Sequence, residues 1–444
     1  MLTPVKDGAS ARRTVLAALK ERGVRWVRLA FVDVLGIQKS VSIPAGELDD
    51  AFAGKVTFDG GSIDGFVRGE EVDMVLRPDP ATFVIPPWRD DERAEARILC
   101  DITMPDGTPF EGCARTTLKR VLEDAADVVP AVQASLEVEF YLFELDADGS
   151  PTTRTPDAGS YFDFAANDRG QEARLEIGAA LEAMGIPISS AHHEHGAGQH
   201  ELDLAPAGVL TIADRLLTVR GVARRIAGRH GLHATFMPKP LEESAGSGLH
   251  VYFALGDVDE AARLHAIAGL LDHAPAFTAV CNQTVNSYKR LVAAWDAPVF
   301  TVWSHRSANA LVRIPHTFAA SGANGDGVAP PIEVRSPDAA CNPYLAMAVL
   351  VEALADGIRS RSLPGDPFTG STYELSERYR NEHGIRMLPK SLRQAITALD
   401  DDPVVRGALG DHIYHAFRDA KLAEYERYRR AVHPWEREAY LRTF

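Results

Sequence analysis

The stretch SLEVEFYLF, residues 135–143, decides how the rest of the chain is read. As a strand, its period of two places Glu137 and Glu139 on one face and Leu136, Val138 and Phe140 on the other. An isolated E-x-E is most often the wet face of an ordinary strand, but the flanking sequence adds further groups of the same chemistry. HHEHGAGQHELDL (192–204) brings Glu194 and Glu201 onto two strands joined by a glycine-containing turn, with His192, His193, His195 and His200 around them. GSGLHVYFAL (246–255) adds His250, and PPIEVRSPD (330–338) adds Glu333 beside Arg335. If these strands share a sheet, several like charges converge, which raises carboxylate pKa values and destabilises the fold unless cations neutralise them. An oxygen-rich set with one imidazole favours Mg²⁺ or Mn²⁺ over zinc.

Working outward, the first hundred residues read as β-rich. A helix is predicted from Ala11 to Arg22, stopped by Gly23, and strands follow in WVRLAFVDV and KSVSIP. MPDGTPFEG, residues 104–112, is the linker candidate, so that two domains are expected, 1–105 and 106–444. The second alternates strands with amphipathic helices and ends in a helical third, an α+β arrangement. At 444 residues and 45% hydrophobic content the chain can bury a large core. Its net charge of -15, from 62 acidic and 47 basic residues, opposes nucleic acid or an anionic membrane as the main partner. Four scattered cysteines lack metal-site or dithiol spacing, and neither a signal peptide nor a run of about 18 apolar residues is evident, so a cytoplasmic protein is expected.

Read together, the motifs make the chain resemble the type I glutamine synthetase family over nearly its whole length. The ordered matches are FVDVLGIQKSVSIP, FDGGSIDGF, EVDM, LEVEFYLF, SYFDF, HHEHGAGQHELDL, GLHATFMPKP, GSGLHV, NSYKRL, DAPV, ALVRIP, IEVRSPDAACNPYLA and HPWEREAYL. The resemblance implies a small β-grasp-like domain, then a large catalytic domain on a curved antiparallel sheet flanked by helices. It implies ATP-dependent phosphorylation of the γ-carboxylate of L-glutamate and displacement of phosphate by ammonia, with two or more Mg²⁺ or Mn²⁺ ions per site. Glu139, Glu194 and Glu201 would hold the ion nearer glutamate, and Glu137, His250 and Glu333 the one bridging the nucleotide phosphates. Arg290 would grip the α-carboxylate, beside the loop at Gly246. Arg313 and Arg335 would face the nucleotide or the transferred phosphoryl group, with Tyr252 in the nucleotide-contacting strand. Asp59 would be the general base for ammonium, accompanied by Ser62, Tyr161 and Glu194, and Asp296 would close the flap over the intermediate. The implied assembly is a homo-oligomeric dodecamer of two stacked six-membered rings, with active sites between subunits.

Several positions depart from the family pattern. Ala245 replaces an asparagine before GSG, Tyr252 a histidine, Ala254 a serine, and Ser307-Ala308 an asparagine-arginine pair. Arg306 is the candidate substitute for the lost cation. These changes, with Asp296 and the small Gly61, keep open a second activity, a γ-glutamyl amide ligase for an organic amine such as a polyamine, ethanolamine or an alkylamine. A catalytically silent relative is the third reading. Tyr373 aligns loosely with a tyrosine that is adenylylated in some members.

Overall fold

The computed structural model describes residues 8–63, 65–66, 72–88, 94–164, 168–315 and 330–444; Asp64 and Glu71, within two of the motifs above, lie outside them. The N-terminal sheet has the order β2-β1-β5-β4-β3, from β1 (Trp26–Val32), β2 (Gln38–Pro44), β3 (Thr57–Asp59), β4 (Asp73–Pro78) and β5 (Glu95–Thr103). Helix α1 (Gly8–Glu21) covers one face and ends where Gly23 turns into the left-handed region, as the glycine stop predicts. Val27, Leu29, Phe31, Ala96 and Ile98 point into a first core that also takes in Phe110 and Cys113. The short α2 (Leu48–Phe52) closes it.

The second sheet has eight strands among the described residues, in the order β11-β12-β13-β10-β6-β8-β7 with β9 paired to β6. They are β6 (Gln133–Glu144), β7 (Ile188–His193), β8 (Gln199–Gly208), β9 (Leu232–Thr235), β10 (Leu249–Ala254), β11 (Trp303–Ser304), β12 (Val312–Arg313) and β13 (Ile332–Val334). The expectation of an antiparallel sheet needs one correction, because β11 and β12 run parallel and make the sheet mixed. One face meets α3 (Ala114–Asp124), α4 (Arg169–Ala183), α5 (Val209–Arg229), α6 (Glu260–Cys281) and α8 (Pro343–Ser360) in the larger core, which holds Leu136, Val138, Phe140 and Leu142 of β6. The other face keeps the polar residues. The remaining helices among the described residues are α7 (Ser287–Arg290), α9 (Glu377–Glu382), α10 (Leu392–Asp401), α11 (Pro403–Leu409), α12 (Asp411–Arg430) and α13 (Pro434–Tyr440).

Helix α6 is long and apolar enough by length and composition to cross a membrane, yet it is mostly buried against α8. Gly269 and Gly357 permit that close approach, since a Cβ on Gly269 would overlap the carbonyl oxygen of Ala353. The two domains are tied by polar contacts. Asn342 caps α8 through its side-chain oxygen and donates its amide to the carbonyls of Asp33 (3.2 Å) and Val34 (3.1 Å). The buried guanidinium of Arg115 joins Asp79 (2.8 Å) and Asp101 (2.9 Å) to Asp214 of α5 (3.0 Å).

Candidate active site

Strand register gathers the acidic motifs into one row. Arg313 of β12 faces Glu333 of β13, which faces Tyr252 of β10. His250 faces Glu137 of β6, Glu139 faces Glu201 of β8, and Glu201 faces His192 of β7. The convergence expected from period-two patterning is therefore realised across six strands.

Two groups form within the row. In the first, His250 Nδ1 lies 2.7 Å from Glu137 Oε2 and 3.8 Å from Glu333 Oε1. Glu333 is fully buried and is clamped by Arg335 Nη1 at 2.5 Å and by the Arg313 Nε donor. Tyr252 donates its hydroxyl to Glu137 Oε1 at 2.5 Å. Burial works against ionising Glu137, but His250, Tyr252 and Arg335 bring it down to about 2. In the second group, His192 Nε2 is 3.0 Å from Glu201 Oε1 and its Nδ1 is 3.6 Å from Glu194 Oε1. Glu139 stands between the groups, accepting from Gln199 Nε2 (3.0 Å) and the Gly248 amide (2.9 Å).

The second group is short of positive charge. Burial, then the neighbouring Glu139 and Glu137, push Glu194 up to about 8, and burial with Glu137 and Glu139 raises Glu201 well above the carboxylate range. Two clusters, Glu137-His250-Glu333 and His192-Glu194-Glu201, have donor atoms within 4.8 Å of one another. Carboxylate-rich donors with an imidazole in each set fit a hard divalent cation.

His192 and Asp203 also stand in the row, with no role implied for either by the family resemblance. Asp203 faces Glu137 in register and forms a third cluster with Glu137 and Glu201. The signal was present, since ELD repeats the period-two pairing of EVE and His192 alternates with Glu194. Gln199, which holds Glu139, carries no comparable signal.

The loops above the row differ in how they are held. The Tyr161 ring stacks on His195 with centroids 4.6 Å apart and meets His192 edge-on at 5.6 Å, so it joins the Glu194 side. Arg290 is buried beneath the glycine loop, donating to the carbonyls of Ser336 (2.9 Å) and Arg335 (3.0 Å). A Cβ on Gly246 would come 2.7 Å from Arg290 Cγ, so only glycine lets the loop pass. Ala245 offers no polar side chain before the glycine loop, but its carbonyl accepts from Tyr141 at 2.6 Å, which fixes the loop through its backbone. Trp295 and Asp296 both take positive φ, 54° and 56°, and the Tyr373 hydroxyl donates to Ala297 O at 2.8 Å. Tyr373 thus steadies the Asp296 loop. Arg306 follows β11 in a bend rather than sharing a strand face with Ala308. Asp59 lies at the end of β3, where Oδ1 accepts from Gly61 (2.8 Å) and Oδ2 receives Ser62 Oγ at 3.4 Å. Asp59 and Ser62 are brought together by their own loop, and no hydrogen bond or ion pair among the described residues joins them to the acidic row.

Comparison with known proteins agrees with this geometry. Residues 23–105 match the model of the glutamine synthetase beta-Grasp domain and residues 111–440 that of its catalytic domain. Glutamine synthetase of Halobacterium salinarum is 44% identical, with 97% of each chain covered, and that of Thermus thermophilus is 45% identical, covering 97% of this chain and 98% of the relative. Among solved structures, a GmaS/ADP complex superposes with a TM-score of 0.83 at 28% identity, covering 96% of this chain and 99% of the other. With both domains matched, relatives aligned end to end and the acidic row assembled on one sheet face, this chain belongs to the glutamine synthetase family.

Proposed function

We propose that this enzyme is a carbon-nitrogen ligase that converts L-glutamate, ATP and ammonia to glutamine, ADP and phosphate through γ-glutamyl phosphate. The observation that carries the reading is the single row of carboxylates and imidazoles from Glu333 to His192, on a chain 44% and 45% identical to two glutamine synthetases. A carboxylate is a poor electrophile, so its oxygen must first become part of a leaving group. Phosphoryl transfer between two anions then demands concentrated positive charge.

In this reading Glu137, His250 and Glu333 hold one divalent ion, Mg²⁺ or Mn²⁺, and Glu139, Glu194 and Glu201 hold another, with His192 as an added donor. Bound there, such ions neutralise phosphate and carboxylate charge. Arg313 and Arg335 face the nucleotide phosphates, and the Tyr252 hydroxyl lines that end of the row. Arg290 and the Gly246 loop receive the amino-acid end of glutamate. Asp59 takes the proton from ammonium, Ser62, Tyr161 and Glu194 complete that pocket, and Asp296 closes the flap. The division at residues 105/106, a dodecamer of two hexameric rings and a cytoplasmic location belong to the same proposal.

The second reading, an amine ligase, is favoured by the likeness to GmaS and by Ala245, Gly61 and Asp296, though GmaS is less similar in sequence than the glutamine synthetases. Phosphate release from ATP, measured with Mg²⁺ and L-glutamate across ammonium, methylamine, ethanolamine, putrescine and spermidine, tests both. Turnover with ammonium is the expected result; preference for an organic amine replaces the first reading with the second, and no turnover with any acceptor overturns both. Glu139→Ala abolishes the metal-dependent activity, and a variant at the wild-type rate removes Glu139 from the site.

A further inference from the structure

The face of the N-terminal sheet turned away from its own core looks onto α5, and a cleft of about 720 Å³ opens between them. That volume lies in the range of small-molecule sites. Its lining carries five cations, Arg28, Lys39, Arg97, Arg224 and Arg225, against a single carboxylate, Glu95. On a chain of net charge -15, this concentration of positive charge stands out and calls for a physical account.

Strand register makes the arrangement costly without a ligand. Arg28 of β1 and Arg97 of β5 are direct partners in the parallel pair, and like charges placed side by side on a sheet destabilise it. Glu95 relieves Arg28 at 3.0 Å, and Asp33 relieves Lys39 at 3.4 Å. Arg97 makes no ion pair among the described residues, although the charge of Asp214 and the Tyr344 hydroxyl partly offset its burial. Its Nε is buried without a hydrogen-bond partner among the described residues, and burial lowers the guanidinium from its ordinary pKa. From the opposite wall α5 presents Arg224 and Arg225, while Gly221 leaves room, because a Cβ there would meet nothing nearer than Gln38 Oε1 at 3.9 Å. Trp88 and Met184 supply an apolar margin.

We propose that this cleft binds a compact multivalent oxyanion, a phosphate ester or a polycarboxylate, held between Arg28 and Arg97 of the sheet and Arg224 and Arg225 of the helix. Such a ligand adds an anion beside Arg97, whose Nε is without a hydrogen-bond partner among the described residues, and bridges the two domains, so its binding stabilises their packing by mass action. The proposal is independent of which acceptor the catalytic row uses, and none of these residues belongs to that row.

The test is calorimetric titration of the full-length protein, with saturating Mg-ADP, using inorganic phosphate and, separately, succinate. Wild type is expected to bind at least one of them, more weakly as salt rises; the probe whose binding is lost in the cleft variants, apart from any that the catalytic row takes, identifies the phosphate or the carboxylate source. Arg97→Gln, and independently the double variant Arg224→Gln/Arg225→Gln, weaken that binding by at least about tenfold. Phosphate release from ATP in the absence of the added anion stays at the wild-type rate in both. If Arg97→Gln does not fold, the helix variant carries the test from the exposed side of the cleft. Absence of binding to wild type, or wild-type affinity in every variant that folds, overturns the proposal.

Discussion

Glu194, just past the end of β7, and Glu137 of β6 hold their protons oppositely, one pushed up to about 8 and the other down to about 2. The difference is local. Glu137 has His250 and Tyr252 as partners, whereas Glu194 is buried beside other carboxylates and, among the described residues, receives a hydrogen bond from the His195 amide alone. A carboxyl whose folded pKa lies above its unfolded value of 4.5 stabilises the fold fully below that value and loses the contribution as pH rises through about 8. The metal-free protein is therefore expected to lose stability on the order of a few kcal/mol across that window. A divalent cation needs the ionised form, so the rise in Tm on adding Mg²⁺ should be larger at about pH 8.5 than at about pH 6. Equal rises measured at the two pH values by scanning fluorimetry would remove Glu194 from the metal-binding set. At this scale Glu137 and Glu139 were legible, because a carboxylate pair at a spacing of two declares its face, while Glu194, Glu201, His250 and Glu333 joined them only on the condition that their strands share a sheet and through the family resemblance. His192 and Asp203 obeyed the same rule and were left unassigned by motif matching, while Gln199 was not legible at all, since an amide that orients a ligand looks like any other polar residue.

Among elements, the strands and the long helices follow from periodicity: β1, β2, β6, β7, β8, β10 and β13 lie where alternating sequence places them, and α8 and α12 where helical spacing does. The parallel β11-β12 pair was not legible, because two-residue strands carry no period and exist only through their neighbours. The domain junction is likewise tertiary. Arg115 sits in a helix whose sequence reads as an ordinary amphipathic segment, but its guanidinium is 4% exposed and gathers three aspartates from the N-terminal sheet and α5. Removing one member of a buried ionic cluster leaves the others uncompensated, typically costing about 3–5 kcal/mol. Arg115→Ala should lower the urea midpoint accordingly, with the loss shared by probes of both domains. A change below about 1 kcal/mol would show the cluster to be well enough solvated to stand without its cation.

For the whole molecule, the catalytic row lies on the large domain while the proposed ammonium base, Asp59, lies on the small one and spends its hydrogen bonds within its own loop. If Asp59 serves a neighbouring subunit, mixing Asp59→Ala and Glu139→Ala chains during refolding restores part of the activity that each lacks alone. Mixed assemblies as inactive as either parent, with mixing verified by mass spectrometry, would place Asp59 in its own chain's site or in none. The sequence by itself determined the family, the two-part organisation and the chemical character of the row, because those depend on residue type and spacing along single strands. Only the tertiary structure decided which carboxylates meet which imidazoles, that Arg313 and Arg335 already occupy Glu333, and that Arg28 and Arg97 stand side by side above α5. Those facts depend on register between strands distant in sequence, where a shift of one residue would turn each side chain to the opposite face.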